Sequence, residues 1–381
     1  RSPTAISNNN DASEIGMSLH LQNIDHIVNG VPHISGIDLA LEPGSFNVLL
    51  GRTLAGKTTL MRLMAGLEPP TRGKIIMDGK DVTNVSVRKR NVSMVYQQFI
   101  NYPSLTVYDN IASPLKLAKH PKSEIDKRVG EIAEMLHIEH LLNRYPQELS
   151  GGQQQRTAMG RALIKDADLI LFDEPLVNLD YKLREELRDE LRDLFKARNC
   201  IAVYATTEPN EALALGGNTA VLHEGRLLQY GPTEQVYREP NGRFSAEMFS
   251  EPPINIVPGQ LTDSEITFDQ TLHFPCDDEL KRLETGDYDF GVRASHLTLQ
   301  PQQADDLALD VHVDVAEISG SETFLHVRHE RFPLVLHLAG IHQFSVNEPL
   351  KVYFPTHQLY AFDKQGHTVH IPARQGGAAH G

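Results

Sequence analysis

Short apolar runs of strand length recur through the first 230 residues and alternate with longer stretches of helical period. Asn47-Val48-Leu49-Leu50 and Leu169-Ile170-Leu171-Phe172 are the clearest of them. Continuous apolar runs separated by amphipathic segments predict a largely parallel sheet covered by helices. Between Tyr181 and Ala197, Leu183, Leu187, Leu191 and Leu194 fall on one face among charged residues, which predicts a surface helix. A helical region also fits from Lys122 to about Leu163, inserted between two strands.

After Tyr230 the pattern changes. Prolines recur between Arg238 and Pro258, which reads as a linker or packing arm. Beyond it the period falls to two: Asp310-Val311-His312-Val313-Asp314-Val315 alternates polar and apolar, and Glu322 to Val327 is similar. Such strands with short turns predict a small antiparallel barrel. Residues 1–16 precede Met17, are polar and read as a disordered tail or tag remnant, and the end, 375–381, reads as frayed.

Composition narrows the classes. A length of 381 residues exceeds one ordinary core and suits two domains, a larger and a smaller. With 40% hydrophobic and 23% charged residues the chain should fold rather than stay disordered. A net charge of -14 argues against a general binder of nucleic acid or anionic membrane, which would favour a basic face. Cys200 and Cys276 are the only cysteines, too few for a disulfide framework and in keeping with a reducing compartment. No apolar run is long enough to cross a bilayer and the first sixteen residues lack a signal-peptide core, so a cytosolic place is expected.

The candidate chemistry begins at Gly51-Arg52-Thr53-Leu54-Ala55-Gly56-Lys57-Thr58, with Thr59 next, directly after one predicted strand and before a helix through Leu60, Leu63 and Met64. This spacing is that of a phosphate loop: glycines let backbone N–H groups turn toward phosphate oxygens, Lys57 adds a charge, and Thr58 suits Mg²⁺. Alone it could be a chance glycine turn. Asp173 and Glu174 end the strand Leu169 to Phe172, where open parallel sheets bind ligands. Asp173 suits a Mg²⁺-organising role and Glu174 the polarising of an attacking water, against the bland reading of two solvated loop charges.

Leu149-Ser150-Gly151-Gly152-Gln153-Gln154-Gln155-Arg156 resembles the signature sequence of ABC ATPases. In that family Ser150, Gly151 and Gly152 would close over the γ-phosphate held by the other ATPase of a dimer. Gln97 in Tyr96-Gln97-Gln98 is similar to the Q-loop glutamine, another Mg²⁺-site residue, and Asn178-Leu179-Asp180 to the D-loop. Met94 to Ile111, Gly291-Val292-Arg293-Ala294-Ser295-His296-Leu297 and Gly320-Ser321-Glu322-Thr323 resemble carbohydrate importers of the maltose and glycerol-phosphate type. The resemblance implies a P-loop ABC ATPase domain at 17–240 with a helical subdomain at 90–163, then an all-β, OB-like barrel domain of the TOBE/MOP type at 241–374. It further implies ATP and Mg²⁺ as cofactors, two transmembrane permease subunits, a periplasmic or lipid-anchored solute-binding protein, no nucleic acid, and a peripheral place on the cytoplasmic face of the bacterial inner membrane.

Two departures stand out. Thr207 occupies the place of the family's switch histidine after the next strand, and threonine can neither reach as far nor carry a charge. Losing one such donor costs roughly 10²–10³ in rate, so this site is expected to be slow and the partner to be a second, unlike ATPase. Val28 stands where the family stacks an aromatic residue on adenine, and no Phe, Tyr or Trp occurs between Met17 and Phe46. His26 or His33 could substitute, although each reads more simply as a surface loop histidine. The bacterial glycerol importer is the family example with two unlike ATPases, which makes glycerol the expected cargo. The rival readings are a soluble ABC ATPase outside transport, which would carry duplicated cassettes or coiled-coil insertions, and an ATP-binding scaffold with little hydrolysis. His326 and His329, three apart on a predicted strand, would point to opposite faces and hold no metal.

Overall fold

A computed structural model of the chain describes residues 17–372 except 269–271, 277, 305 and 331. The tails expected at 1–16 and 375–381 lie outside the described residues. The chain divides into two compact units, one made of residues up to Thr207 with Ala214–Tyr230, the other of Glu208–Leu213 with the chain from Gly231 onward. The first unit closes at Tyr230, where the periodicity changes.

The first unit opens on β1 (Leu19–Val28) and β2 (Val31–Leu41), joined through Asn29 and Gly30 at φ 51° and 80°. A two-residue hairpin of the favoured twist needs both central residues left-handed, and Asn-Gly supplies them at little steric cost. There follow β3 (Phe46–Leu50), α1 (Lys57–Ala65), β4 (Arg72–Met77), β5 (Lys80–Asp81) and β6 (Val92–Val95). Three helices intervene, α2 (Val107–Leu117), α3 (Lys122–Met135) and α4 (Gly151–Leu163). The chain then continues through β7 (Leu169–Asp173), α5 (Tyr181–Ala197), β8 (Ile201–Thr206), α6 (Pro209–Leu215), β9 (Asn218–His223) and β10 (Arg226–Pro232).

Six strands form one sheet in the order β10-β9-β3-β8-β7-β6, and β9, β3, β8, β7 and β6 pair in parallel. Every residue of β7 and β8 is buried, the condition under which a parallel strand reads as a continuous apolar run. A second, antiparallel sheet of order β2-β1-β4-β5 is an addition to the predicted parallel sheet. Its strands alternate polar and apolar residues, and their buried side chains, among them Leu19, Leu21, Ile37 and Ile75, share a core with α1 and β7.

Helix α5 spans the predicted residues, with its stripe slightly turned. Leu187, Leu191 and Phe195 are buried, whereas Leu183 and Leu194 are only half-buried. Phe195 meets Phe172 edge-on at 5.6 Å between centroids. The helical insertion begins earlier than Lys122. Thr106 caps α2 by accepting from the Asp109 N–H at 3.1 Å, and Pro114 within the helix hides the period from a sequence reading.

Besides the segment Glu208–Leu213, which lies in α6, the second unit holds α7 (Thr233–Arg238) and α8 (Arg243–Met248), so the proline-rich stretch contains a short helix. Then come β11 (Asn255–Leu261), β12 (Glu265–Phe268), β13 (Leu272–Pro275) and β14 (Gly286–Val292). The remaining strands are β15 (Leu307–Ser319), β16 (Glu322–Arg328), β17 (Pro333–Ala339), β18 (Pro349–Phe354), β19 (Tyr360–Phe362) and β20 (Thr368–His370). They make two antiparallel sheets, β13-β12-β11-β14-β19-β20 and β17-β16-β15-β18, around a single barrel-like core. Phe268 sits at its centre, with Phe274, Phe290 and Phe354 at 4.9, 5.6 and 5.7 Å. His326 and His329 do not converge: His326 lies 3.9 Å from Glu317, and His329 stacks on Phe332 at 4.9 Å.

Candidate nucleotide site

The parallel order brings the ends of β3, β7 and β8 side by side, and the loops leaving them carry the candidate residues. The loop from Gly51 to Gly56 runs from β3 into α1. Gly51 has no room for a side chain, because a Cβ there would lie 2.6 Å from the Leu222 carbonyl oxygen and 2.8 Å from the Ala55 Cβ. Gly56 takes φ 102° at the start of α1, and a Cβ would press within 2.9 Å of Ile34. No side chain caps α1 and no acidic residue occupies its first turn. The first N–H groups of the helix, Lys57, Thr58 and Thr59 among them, are therefore available to an anion at the dipole's positive end. Arg52, Thr53 and Leu54 form the exposed crest of the loop, Leu54 at φ 68°.

Lys57 is 5% exposed. Its ammonium donates to the Gly51 and Arg52 carbonyls at 2.8 and 3.2 Å and lies 3.4 Å from a Glu174 oxygen. Burial lowers its pKa, against the opposing pull of Glu174 and Asp173. The Thr58 hydroxyl donates to Asp173 Oδ2 at 2.8 Å. Asp173 ends β7 at 2% exposure, where burial pushes its carboxyl up and the Thr58 hydrogen bond partly offsets that. Glu174 has φ 48°, its N–H donating to the Ala205 carbonyl at 3.1 Å, so the turn out of β7 is pinned to β8. Gln97, just past β6, donates its amide to Glu174 Oε2 at 3.1 Å. Lys57, Thr58, Asp173, Glu174 and Gln97 are thus one connected cluster, drawn from three separate stretches of sequence. Thr207, half-buried, follows β8 on the strand that pins Glu174.

Two sequence comparisons bear on this cluster. The family model described as ABC transporter matches residues 34–177. The xylose/arabinose import ATP-binding protein XacJ of Haloferax volcanii is 37% identical over 352 residues, 88% of this chain and 91% of its own length. The chain belongs to the ABC transporter family. The sn-glycerol-3-phosphate import ATP-binding protein UgpC of Psychromonas ingrahamii is 37% identical over 79% of each chain. Among solved structures, a dimeric ATP-binding cassette in a post-hydrolysis state with ADP and Pi is 28% identical. It has a TM-score of 0.52 and matches 56% of this chain against 98% of its own.

Within this ABC chain the signature segment stands apart from the cluster. Among the described residues no hydrogen bond joins Ser150, Gly151 or Gly152 to the loop from Gly51 to Gly56. Ser150 caps α4 through a reciprocal pair: its hydroxyl accepts from the Gln153 N–H at 3.3 Å, and the Gln153 side chain accepts from the Ser150 N–H at 3.0 Å. Gly151 has open space around it, whereas a Cβ on Gly152 would meet Leu179 at 3.1 Å. Asp180 caps α5, accepting from the Leu183 N–H at 3.0 Å.

Neither histidine near Val28 is the loop residue the sequence suggested. His26 lies on β1, buried, with Nε2 3.2 Å from Glu68, and His33 is exposed on β2. Sequence reasoning also missed a clamp on the segment after Gln97. Asn110, fully buried in α2, donates to the Tyr102 and Leu105 carbonyls at 3.0 Å and accepts from the Tyr102 N–H at 2.8 Å. Arg161 of α4 donates to the Ile100 carbonyl and lies over the Tyr102 ring at 4.7 Å. An amide on the otherwise apolar face of Val107, Ile111 and Leu115 was the available signal.

Proposed function

We propose that this chain is the ATP-hydrolysing subunit of an ABC importer for a small polyol or carbohydrate, with glycerol as the cargo. The observation that carries the ATPase reading is the single cluster in which Lys57 and Gln97 both hold Glu174 while Thr58 holds the buried Asp173. The open N-terminus of α1 and the glycines beneath it fit a nucleotide triphosphate. Hydroxyl, carboxylate and amide oxygens of Thr58, Asp173 and Gln97 are hard donors, too few to cage a metal alone, which suits a Mg²⁺ that takes its other ligands from phosphate and water. Such an ion would supply charge neutralisation at the phosphates. Glu174, fixed by two hydrogen-bonding partners, is presented to accept a proton from water.

The importer reading is supported by relatives that are named as import ATP-binding proteins and align over most of the chain. The proposed partners are two permease subunits at the cytoplasmic face of the bacterial inner membrane, with a solute-binding protein beyond them. Tyr102, at the clamped end of the segment after Gln97, lines a cavity of about 620 Å³ together with Leu117 and Arg161, a place for a permease helix. Thr207 is the reason to pair the chain with a second, unlike ATPase: its own site would turn over slowly while Ser150-Gly151-Gly152 completes the partner's. In the assembled complex, Ser150→Arg should nearly abolish transport and Glu174→Gln should cost much less. Equal losses, or brisk cooperative hydrolysis by the purified chain alone, would remove the asymmetric pairing.

A further inference from the structure

The second unit contains a cavity of about 940 Å³ that plays no part in the nucleotide cluster. Its wall joins α7 to the turn Arg293–Leu297 and to the segment 355–360 before β19, all within that unit. The turn is held rigidly. Arg293, 4% exposed, lies over the Tyr237 ring at 3.9 Å and donates to the Phe249 carbonyl, the Ser250 hydroxyl and the Tyr237 carbonyl. The opposite rim is also fixed, because Asp306 accepts from the N–H groups of Gln302 and Gln303 at 2.7 and 3.1 Å.

What the wall offers defines the ligand. The Arg293 guanidinium is committed to three protein acceptors, and Arg238 is held in an exposed ion pair with Glu234 at 3.1 Å. Glu239 and Glu279 balance them on the same wall. The neutral groups remain: the Ser295 hydroxyl, the amide of Gln358, the imidazole of His296, and the amide of Gln303, whose Nε2 lies 3.4 Å from His357 Nε2 and whose oxygen is left to accept. Nδ1 of His296 is buried and has no hydrogen-bond partner among the described residues. Burial, reinforced by Arg293 and His357, holds that imidazole neutral down to about pH 4, and a neutral ring presents one donor and one acceptor. A hydroxyl, which both donates and accepts, matches such a wall; a phosphate or ammonium does not.

We propose that this cavity binds a small neutral polyhydroxy molecule, a free polyol or monosaccharide, with His296, Ser295 and Gln303 as its hydrogen-bonding partners. The site does not depend on the importer reading, since its lining is independent of the nucleotide cluster. The test is equilibrium dialysis of the full chain against radiolabelled glycerol, erythritol and xylose, with glycerol 3-phosphate as the charged comparison. Saturable uptake of at least one neutral probe is expected. It should fall at least about tenfold in Ser295→Trp, which fills the mouth from an exposed position, and in His296→Phe, which keeps the volume and removes the polar atoms. Circular dichroism and thermal melting of both variants show whether the fold is retained. Three results would each overturn the proposal: no saturable uptake of any neutral probe, uptake unchanged in folded Ser295→Trp and His296→Phe, or tighter uptake of glycerol 3-phosphate than of the neutral probes.

Discussion

Acidification should destabilise the second unit through one residue, His296. Its pKa is lowered from 6.5 to about 4, chiefly by burial and further by Arg293 and His357. The unfolded chain therefore binds a proton in a range where the folded chain refuses it, so stability is present above pH 6.5 and is lost as pH falls toward 4. Between pH 8 and pH 5 the two values correspond to ~2 kcal/mol, and to ~3 kcal/mol once both states are protonated, at 1.36 kcal/mol per pH unit. His296 keeps part of its surface in water, which reduces the expected loss by pH 5 to about 1–2 kcal/mol. The assay is urea denaturation from pH 8 to pH 5 on the full chain and on His296→Phe, following the transition of the barrel-like unit. The difference between the two proteins should narrow in the variant's favour as pH falls, and the His296 ring resonance should titrate near 4 by NMR. A ring that titrates near 6.5, or identical pH dependence in both proteins, would refute the burial argument.

Other consequences are simpler to read. Gly51→Ala should abolish ATP binding in a fluorescent-nucleotide titration, because the added Cβ is driven into the Leu222 carbonyl and the Ala55 Cβ and must displace the loop. Phe268→Ala should cost about 3–5 kcal/mol in urea denaturation, since the ring touches several aromatic neighbours at the centre of the second core. Tyr230→Phe should cost about 1–2 kcal/mol in the same measurement: the hydroxyl, its pKa pushed up to about 12 by burial, donates at 2.7 Å to the fully buried Asn47.

Much of this protein is legible in its local pattern. Runs of consecutive apolar residues such as Leu169 to Phe172, alternating with amphipathic helical stretches, point to strands buried on both faces, the setting of a covered parallel sheet. The leucine period in Tyr181–Ala197 has the same force for α5, and the glycine spacing of Gly51 to Gly56 marks a loop whose backbone must approach its neighbours closely. These features are set by a residue's own geometry and by partners a few positions away. Helix α2 shows the limit, because Pro114 lies inside it while the Thr106 cap and the contacts of Asn110 with Tyr102 and with Arg161 of α4 hold it in place.

Tertiary structure alone decided which of the recognisable residues meet. Sequence order places Gln97, Glu174 and Lys57 tens of residues apart, and it is the β3-β8-β7-β6 order that sets them within hydrogen-bonding reach. It also separated Ser150-Gly151-Gly152 from that cluster within one chain. The pairing of the antiparallel sheet, the burial of His26 and the cavity beside His296 were likewise undetermined by pattern, because each depends on strands and turns distant in sequence closing around it. Local propensity fixes what an element is; packing of elements far apart in the chain fixes what a polar side chain faces.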